Sequence, residues 1–516
     1  VLMFMVKRSR TTLVACLAAV FILSLGLSLN WTQYRPTAGF YLAPARAWEL
    51  LLGVFLALNV IRPWSRQWLR ETASALGIML ILASVVMIDS TTPFPGVAAL
   101  APCFGTALVI QAGRGEGKQT LFARVLSTRS MVFTGLISYS LYLWHWPIFV
   151  FSRSWLGTTH LPAAWALGGI IASMAFAAVS CRYIERPFRT RTTFSRRGFF
   201  RLSAITATFL TLVSVCLIVA DGLPARFDQR VLDALAGTQD MDSRYKGCMG
   251  IKNDDDYCVI GTEGAEPSAI LLGDSHARAL MPALAQVFES NGLSGYVASR
   301  AGCAPLSGVR RVNQSAASSR SCTEFNSSIL DFVDRRKDSL DVAILVGRWP
   351  LNVTGQRAPG EAGGPVELAL ADARGTFSNA ELVERGLGET IDKLTGMGLR
   401  VIVLGGVPEI GWDVPRRIAH SIAHQQELPR PPTMDSLAER HAEGNRIISA
   451  IAASNESVVF VELVPLLCSP VCQVLDGTTP LYVDDDHLSL HGAYNVLGPR
   501  LTTRLGELSA LSTTQD

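Results

Sequence analysis

Long apolar stretches dominate the first 220 residues of this 516-residue chain. Each holds roughly 17 to 22 residues, which lets a helix cross the ~30 Å hydrocarbon core of a bilayer. The whole chain is 49% hydrophobic and 17% charged, too apolar for an ordinary soluble enzyme and too mixed for a pure membrane bundle. We therefore expect a multi-pass α-helical membrane domain followed by a soluble domain. The predicted spans are residues 11–29, 43–60, 72–88, 96–112, 132–151, 163–181 and 201–220.

Basic residues are concentrated in alternate loops between these spans. Lys and Arg cluster at 7–10, 62–70, 114–129 and 182–201, whereas the loops between them are poor in both residues. Positive charge close to a span favours the cytoplasmic side of the membrane. The pattern therefore predicts that these loops are cytoplasmic and that the chain from Asp221 onward lies outside the cytoplasm.

The ten cysteines divide at the same boundary. Four lie in or beside the apolar stretches and are expected to act as small apolar residues: Cys16, Cys103, Cys181 and Cys216. An even set of six follows, and outside the cytoplasm such a set suggests disulfides. Closeness in the sequence favours the pairs Cys248–Cys258, Cys303–Cys322 and Cys468–Cys472. A zinc site is the alternative, but the spacings are irregular and we expect no metal site.

Short runs of Val, Ile and Leu alternate with helix-like stretches in the second half of the chain. Continuous apolar runs, rather than strict alternation, are typical of a parallel sheet covered by helices on both faces. The sequence therefore predicts an α/β three-layer domain, in which functional sites form at the carboxyl ends of the strands. The predicted strands are residues 268–273, 295–300, 341–347, 400–406 and 457–463.

Ser275 follows the first of these strands, in the sequence "AILLGDSHARAL" (269–280), and precedes a helix-like stretch. In that position its hydroxyl would be exposed, and backbone N–H groups at the start of the helix would stabilise an oxyanion. The alternative is that Asp274 or Ser275 merely caps the helix. The stretch alone leaves both interpretations open.

Asp484 and His487 stand three residues apart near the other end of the domain, in the sequence "VDDDHLS". A Ser nucleophile needs a base, and the base needs an orienting carboxylate. One turn of the chain supplies both groups here. The alternatives are a solvated acidic turn or a loose cation site.

The "GDSH" and "DDDHLS" blocks together resemble the SGNH hydrolase superfamily, over roughly residues 266–510. The two motifs occur in the order and on the elements expected of that superfamily. The resemblance implies that Ser275 is the nucleophile, that His487 is the general base and that Asp484 orients His487.

The same resemblance implies an oxyanion hole. The backbone N–H of Ser275 would be one donor, and Gly302, in "SRAGCAPL", matches the glycine block of the superfamily and would be the second. The usual Asn donor should follow the strand at 341–347, where this chain has "GRWP". Arg348 therefore stands near that place, as a substitute donor or as a substrate contact.

Three stretches of the apolar half resemble the acyltransferase-3 family of membrane-bound O-acyltransferases: "FYLAPARAWELLLGVFLAL", "LISYSLYLWHWPIFVF" and "CRYIERPFR". The similarity spans about residues 1–195. It implies transfer of an acetyl or other short acyl group from cytoplasmic acyl-CoA, across the bacterial inner membrane, to an extracytoplasmic glycan such as lipopolysaccharide, peptidoglycan or exopolysaccharide. It implies no bound cofactor, because acyl-CoA is the donor substrate, and the SGNH-like domain would complete or direct the transfer.

Several polar residues in these stretches are candidates for the membrane part of the reaction. Arg46 and Glu49 share one helix face at positions i and i+3, and charges within a span are costly enough to suggest a function. A structural ion pair at the membrane edge is the alternative for these two. The other candidates, for which packing or helix-end contacts are the alternative roles, are Tyr139, Tyr142, His145, Arg182 and Glu185.

The expected domain plan has four parts. Residues 1–195 form the acyltransferase-3-like membrane domain, 196–220 an additional transmembrane helix, 221–265 a periplasmic linking region and 266–516 the SGNH-like domain. The chain begins at Val1 in the middle of an apolar pattern. We therefore expect that the first helices of the family plan, which carry its presumed acyl-transfer histidine, are missing from this sequence.

The sequence thus predicts a membrane-bound O-acyltransferase in which Ser275 carries the acyl group to a cell-envelope glycan. Acyl-CoA, the glycan and membrane lipid are the expected partners, and nucleic acid is not. Two alternatives stay open. One is a membrane-tethered carbohydrate esterase, because water and a sugar hydroxyl are both acceptors for the same triad and exclusion of water decides between them. The other is an inactive fragment.

Overall fold

The computed structural model describes most of the chain. The described residues are 10–89, 92–115, 117–157, 161–189, 195–243, 247–250, 256–312, 316–359, 361, 363–371, 375 and 377–507. The chain divides into two compact units, Val1–Val215 and Cys216–Asp516. Of the predicted basic stretches, residues 7–9, 116 and 190–194 lie outside the described residues.

The chain up to residue 219 is helical wherever it forms regular structure among the described residues. A π-helical turn, Cys181–Glu185, interrupts the last part of this series. The helices are α1 (Arg10–Tyr34), α2 (Pro36–Tyr41), α3 (Ala43–Ala57), α4 (Gln67–Met87), α5 (Leu100–Gly113), α6 (Leu121–Leu126), α7 (Arg129–Leu156), α8 (Ala163–Ser180), α9 (Arg186–Arg189) and α10 (Arg196–Val219).

Five segments of the described chain are long and apolar enough to cross a membrane. They coincide with five of the seven predicted spans. These segments are Arg10–Tyr34, Pro36–Ala57, Gln67–Met87, Ala163–Phe188 and Arg197–Val219. The membrane character that the sequence predicts for the first half is therefore confirmed for these five.

The other two predicted spans, 96–112 and 132–151, fall on α5 and α7 and do not meet that criterion. Helix α5 has 14 residues, which at 1.5 Å per residue is ~21 Å and shorter than the hydrocarbon core. Helix α7 has 28 residues, but its Ser, Tyr, Trp and His side chains dilute the apolar ones. For these two helices the crossing of the membrane stays a prediction.

Small residues let helices of the first unit approach closely. A Cβ atom at Gly77 of α4 would lie 2.6 Å from the backbone oxygen of Gly105 of α5, so the two helices touch through their backbones. Ser24 of α1 donates its hydroxyl to the backbone oxygen of Pro44 at 2.6 Å and accepts from the N–H of Trp48 at 3.0 Å. Small residues and Ser side chains are the usual contacts between membrane helices.

The second unit alternates strands and helices. Its elements are α11 (Gln229–Ala236), β1 (Cys258–Gly261), β2 (Ala269–Gly273), α12 (Ser275–Ser290), β3 (Ser294–Ser299), β4 (Val309–Arg311), α13 (Ala316–Arg336), β5 (Val342–Val346), α14 (Trp349–Thr354), β6 (Leu368–Leu370), α15 (Asn379–Gly396), β7 (Arg400–Leu404), α16 (Val414–His424), α17 (Met434–Ser454), β8 (Val458–Val461), α18 (Val464–Leu467), β9 (Leu475–Asp476), β10 (Thr479–Pro480) and α19 (Gly498–Glu507). A π-helical turn, Gly492–Leu497, precedes α19.

The main sheet has six strands in the order β1-β3-β2-β5-β7-β8. Five of them are parallel and correspond to the five predicted strands, and the edge strand β1 is antiparallel to β3. Strands β2 and β5 lie in the centre and every residue of each is buried. Side chains of β2 alternate between the two faces, with Leu271 in one apolar core and Ile270 in the other.

Helices cover both faces of this sheet. Helices α12, α16 and α19 contribute to the core on one face, and α13, α15 and α17 contribute to the core on the other. The α/β three-layer architecture with a mostly parallel sheet is therefore confirmed. The antiparallel strand β1 is an addition that the sequence patterns did not predict.

All three predicted disulfides are present: Cys248–Cys258, Cys303–Cys322 and Cys468–Cys472. The cysteines predicted to act as apolar residues, Cys16, Cys103, Cys181 and Cys216, are free. The zinc alternative for the six cysteines of the second unit is therefore wrong, because each of their sulfurs is bonded to another.

Candidate active site

The chain turns sharply between β2 and α12, and this turn places Ser275 at the carboxyl end of the central strand. Gly273 ends β2 and has no room for a side chain, because a Cβ atom there would lie 2.1 Å from the backbone oxygen of Val346 on β5. Ser275 begins α12 two residues later. The structure thus places Ser275 where sites form in parallel α/β sheets.

Asp274, rather than Ser275, caps α12. Its Oδ1 accepts a hydrogen bond from the backbone N–H of His276 at 2.9 Å, and its Oδ2 accepts one from the N–H of Arg348, also at 2.9 Å. The buried carboxylate of Asp274 therefore joins the start of α12 to the end of β5. The hydroxyl of Ser275 has a different partner.

His487 is that partner. Its Nε2 lies 2.8 Å from Oγ of Ser275, and its Nδ1 lies 2.9 Å from Oδ2 of Asp484. Asp484 also accepts hydrogen bonds from the backbone N–H groups of Asp486 and His487 with Oδ1, which fixes the turn that carries the histidine. The structure therefore brings together the three residues that the sequence selected, although 212 positions separate Ser275 from His487.

Asp486 is a second carboxylate at His487, and sequence reasoning missed it. Its Oδ1 lies 2.7 Å from Nδ1 of His487, and its side chain is 3% exposed where that of Asp484 is 39% exposed. The "DDDH" sequence contains Asp486, but the sequence of a turn does not show which of its carboxylates faces inward. His487 thus has one buried and one half-exposed acidic neighbour.

These neighbours control the ionisation of His487. Burial lowers the pKa of His487, but the hydrogen bonds and charges of Asp484 and Asp486 outweigh it and raise the pKa to about 10. Burial raises the pKa of Asp486, whereas His276 and His487 lower it, and the net direction is downward. The site therefore stabilises the positive charge that His487 acquires when it takes a proton.

The side chain of Arg348 is bound by acidic groups and is not available as an oxyanion donor. Its Nη1 lies 2.7 Å from Oδ2 of Asp486, its Nε donates to Glu409 at 2.6 Å and its Nη2 donates to Glu361 at 2.5 Å. Each nitrogen of the guanidinium therefore already has a carboxylate partner. The prediction that Arg348 replaces the Asn donor is wrong, because the acidic groups behind the site hold its side chain.

The carboxylates around Arg348 have further basic partners. Arg440 donates from Nε to Oε2 of Glu409 at 2.7 Å, and Arg357 pairs with Glu361. Buried charges are tolerated when they are paired and hydrogen-bonded. Glu361, Glu409 and Arg440 carry no motif in the sequence, and only the folded chain brings them beside Arg348.

Gly302 lies in the turn that follows β3. The N–H of Arg300 donates to the backbone oxygen of Gly273 at 3.0 Å, and the N–H of Cys303 donates back to Arg300, also at 3.0 Å. Gly302 has φ +70°, a conformation that favours glycine. The turn therefore lies beside the end of β2, and the donor roles of the Ser275 and Gly302 N–H groups stay predictions.

A cavity of about 770 Å³ opens at Ser275 and His487. Its walls are formed by α12, by the turn that carries Ala301, by the segment 483–490 and by parts of 238–249 in the predicted linking region. A volume of this size is typical of sites that hold small molecules. The predicted linking region therefore contributes directly to the cavity at the nucleophile.

Two groups of side chains at this site have the spacing of metal ligands. They are His276, Asp486 and His487, and Asp484, Asp485 and Asp486. In both groups the carboxylate of Asp486 already faces Arg348 and His487. The cation-site alternative for the acidic turn is thus geometrically available, but its central ligand is paired, and we assign no ion to it.

Arg46 and Glu49, in the first unit, pair with each other. Arg46 donates from Nε and Nη2 to the two carboxylate oxygens of Glu49 at 3.1 and 3.0 Å. The pair lies on one face of α3 with both side chains partly exposed. This is the geometry of the structural ion pair that the sequence left as the alternative.

The remaining candidates of the first unit have local contacts. His145 places Nδ1 at 2.7 Å from the backbone oxygen of Tyr142, and Ser140 donates to Glu185 at 3.1 Å. Arg182 lies over the ring of Tyr183 at 5.7 Å, and Tyr139 is exposed. Their predicted part in acyl transfer stays a prediction.

Two family models match the chain. The model described as "SGNH domain (fused to AT3 domains)" matches residues 242–499, which is half of the chain, and the model described as "Acyltransferase domain" matches residues 1–182. The chain belongs to the family of acyltransferases with a fused SGNH domain. The resemblances that the sequence motifs indicated are therefore confirmed.

The chain is similar to the O-acetyltransferase OatA of Staphylococcus aureus. OatA of strain NCTC 8325 / PS 47 is 31% identical to this chain over 127 residues, which are 25% of this chain and 20% of OatA. OatA of strain MRSA252 shows the same identity and coverage. The aligned region thus spans about a fifth of the length of these relatives.

A solved structure is also similar to this chain. It is the periplasmic domain of a lipopolysaccharide acetyltransferase from Salmonella ser. Paratyphi A, with 19% sequence identity and a TM-score of 0.36. The match covers 50% of this chain and 92% of that chain.

Proposed function

We propose that this protein is an O-acyltransferase of the bacterial inner membrane that moves an acyl group, acetyl in the simplest case, from cytoplasmic acyl-CoA to a hydroxyl of a cell-envelope glycan. Ser275 is the nucleophile that carries the acyl group. The observation that carries the proposal is the 2.8 Å contact between Ser275 Oγ and His487 Nε2, with two carboxylates at the other ring nitrogen. The O-acetyltransferase name of the OatA relatives supports the choice of acyl group.

Acylation begins with neutral His487. Its Nε2 takes the proton of the Ser275 hydroxyl while Oγ forms a bond to the carbonyl carbon of the acyl donor. The carbonyl oxygen becomes an oxyanion, for which the N–H groups of Ser275 and Gly302 are the proposed donors. When the bond to the donor breaks, His487 returns the proton to the leaving group, and Ser275 is left as an ester.

Transfer runs through the same groups in reverse. The acceptor hydroxyl gives its proton to His487 Nε2 and attacks the ester carbon of acyl-Ser275. The bond between that carbon and Oγ breaks, and the proton on His487 goes to Oγ. Asp484 and Asp486 stabilise the imidazolium in both halves of the reaction and hold the ring in one orientation.

The main alternative is a membrane-tethered carbohydrate esterase. It uses the same steps, but the acylated glycan is then the acyl donor. Water, instead of a glycan hydroxyl, is the acceptor that attacks acyl-Ser275. The fusion to an acyltransferase domain favours transfer. An inactive fragment is the third alternative, and it predicts that no acyl-Ser275 forms.

The full chain, purified in detergent with its disulfides intact, tests the proposal. An aryl acetate supplies the acyl group, and mass spectrometry of a proteolytic digest detects acetylated Ser275. We expect a burst of the aryl alcohol that Ser275→Ala reduces by at least ~1,000-fold. Ser454→Ala, at the exposed end of α17, is the matched control and should leave the burst unchanged.

The fate of the acetyl group then separates the alternatives. Addition of envelope glycans or sugars should divert acetyl from water to a sugar hydroxyl if the protein is a transferase. Hydrolysis that no glycan diverts would support the esterase. Absence of both burst and acetyl-Ser275 in the native chain would overturn the assignment of Ser275.

A further inference from the structure

Arg278 lies one helical turn after Ser275 on α12. Residues three apart on a helix lie on the same face, with about 5–6 Å between their Cβ atoms. Ser275 and Arg278 both line the 770 Å³ cavity. The cavity therefore has a cation on the same wall as the nucleophile.

Arg278 has no acidic partner among the residues that the structure describes. Its one hydrogen-bond contact there is between Nη2 and Sδ of Met241, at 3.0 Å. A thioether is a weak acceptor, whereas a guanidinium has five N–H donors in a planar fork that fits carboxylate and phosphate. The half-buried Arg278 side chain thus keeps most of its donors for a ligand.

The other charged groups of the cavity do not neutralise this cation. Asp484 lines the same cavity, but its carboxylate is held by His487 and by the backbone of the turn. Asp242, the other acidic residue of the lining, has no ion pair with Arg278 among the contacts described. His487 also lines the cavity, but Asp484 and Asp486 hold its Nδ1. Most of the remaining wall is apolar, including Met241 and Met281. Among the described residues of the lining, Arg278 is therefore the cation without a carboxylate partner that an anionic ligand would find.

We propose that Arg278 binds a carboxylate or phosphate group of the acceptor sugar, so that the protein acylates acidic glycan units. This inference rests on the proposed function, because it assigns the acceptor of the same site. The anion on Arg278 fixes the sugar ring, and a hydroxyl of that ring then faces Ser275 and His487. A neutral sugar lacks this contact and is held only by the apolar wall and by weaker hydrogen bonds.

Equilibrium binding to the full chain in detergent tests the subsite without any acyl transfer. Three sugars of the same ring are titrated by calorimetry: methyl glucuronide with a carboxylate, glucose 6-phosphate with a phosphate, and neutral methyl glucoside. We expect at least one acidic sugar to bind ~10-fold or more tightly than the neutral one, because a charge-assisted hydrogen bond has about that effect. The preferred acid tells whether the acceptor carries a carboxylate or a phosphate.

Variants of Arg278 assign the effect to this residue. Arg278→Gln should raise the Kd of the preferred acidic sugar by ~10- to ~100-fold and leave the Kd of the neutral sugar unchanged. Arg278→Lys should keep part of the preference, because an ammonium supplies charge without the planar fork. Arg446→Gln, an exposed arginine of α17 that pairs with Glu443, is the matched control and should change neither Kd.

The proposal is overturned if the native chain binds acidic and neutral sugars equally, or if Arg278→Gln leaves an acidic preference intact. It is also overturned if Arg446→Gln weakens acidic binding as much as Arg278→Gln does. An Arg278-dependent preference in a chain that never forms acetyl-Ser275 would support the subsite and count against the proposed acyl step alone.

Discussion

The carboxylate of Asp486 lies 2.7 Å from Nδ1 of His487, the same nitrogen that Asp484 reaches at 2.9 Å. Asp486 is almost completely buried and is held from behind by Arg348, whose Nη1 lies 2.7 Å from its Oδ2. A charge in the buried position acts through a lower effective dielectric than one at the surface. We therefore expect Asp486 to have a large influence on the protonation of His487.

The pH dependence of acylation should report that influence. Neutral His487 is the reactive form, so the rate should rise with pH as His487 loses its proton, and the pKa of about 10 places this rise on the alkaline side of an ordinary histidine. Asp486→Asn removes one of the groups that raise this pKa, and the rise should then move to lower pH. The measurement is kcat/KM for an aryl acetate as a function of pH, in the native chain and in the variant.

Asp334→Asn is the control for this prediction. Asp334 is an exposed residue of α13 that forms an ion pair with Lys337. Its neutralisation should not change the pH at which the rate of acylation rises. A profile of Asp486→Asn that rises at the same pH as that of the native chain would show that Asp484 alone sets the pKa of His487. A lower rate with an unmoved profile would point to a purely structural role for Asp486.

Most of the fold is predictable from the sequence because it rests on local apolar patterns. The five parallel strands are continuous runs of Val, Ile and Leu, and such runs form buried strands wherever they stand in the chain. The edge strand β1 escaped prediction because it has four residues and one face exposed to solvent. Helix α7 is less apolar than the five confirmed segments because Ser, Tyr, Trp and His side chains interrupt its apolar residues.

The residues of the candidate site that lie in short sequence motifs were predictable. Those that only the tertiary fold brings to the site were not. Ser275, Asp484 and His487 lie in two blocks with characteristic spacing. Arg348 lies near an expected donor position, but the direction of its side chain depends on Glu361 and Glu409. These two residues are not adjacent to Arg348 in the sequence and belong to no motif. The inward direction of Asp486 depends on the hydrogen bonds of one turn. Contacts of this kind follow from the packed chain, and a linear pattern does not contain them.

Gly273 should tolerate no side chain. In Gly273→Ala the new methyl carbon would lie 2.1 Å from the backbone oxygen of Val346, so β2 and β5 must separate or shift. We expect a loss of at least ~2 kcal/mol in the free energy of local opening, because overpacking against backbone is not easily relieved. Amide hydrogen exchange of β2 and β5 in the full chain measures this free energy for the second unit alone.

Gly388→Ala is a matched control for the same substitution. Gly388 lies inside α15 with nothing within 4 Å of its added Cβ atom, and alanine should stabilise the helix by about 0.5–1 kcal/mol. Equal protection of β2 in Gly273→Ala and in the native chain would contradict the close approach of β2 and β5.

Arg348 should contribute to stability more than to substrate binding. Arg348→Met leaves Glu361, Glu409 and Asp486 without their shared cation, and removal of one partner from a buried ionic network costs about 3–5 kcal/mol. The cost should depend on pH. Burial raises the pKa of Glu361, but Arg348 and Arg357 outweigh this and lower it, so the stabilisation is present above the ordinary value of 4.5 and is lost as pH falls below it.

The difference in opening free energy between the native chain and Arg348→Met should therefore narrow as the pH falls through about 4.5, the ordinary pKa of Glu. Hydrogen exchange of β5 at several pH values measures it. Arg504→Met, an exposed arginine of α19 that pairs with Glu507, should cost less than about 1 kcal/mol at every pH. A defect of Arg348→Met that is confined to the KM for a sugar, with no loss of protection, would instead assign Arg348 to substrate.

The disulfide Cys303–Cys322 should support the proposed oxyanion turn. It ties the residue after Gly302 to α13 and closes a loop with a sequence separation of 19, for which chain entropy predicts about 3 kcal/mol of stabilisation. The double substitution of Cys303 and Cys322 by Ser should therefore destabilise the second unit. It should also slow acylation of Ser275 by an aryl acetate, because a loosened turn no longer holds the N–H of Gly302 in place.

The double substitution of Cys468 and Cys472 by Ser separates these two effects. That bridge has a sequence separation of 4, which predicts only about 2 kcal/mol of stabilisation, and it is not adjacent in sequence to the Gly302 turn. Its removal should lower stability without slowing acylation when both chains are assayed well below their unfolding temperatures. Equal slowing by the two double variants would mean that the loss reflects general destabilisation, and Gly302 would lose its proposed role as a donor. Slowing confined to the Cys303–Cys322 variant would tie the acylation step to the turn itself.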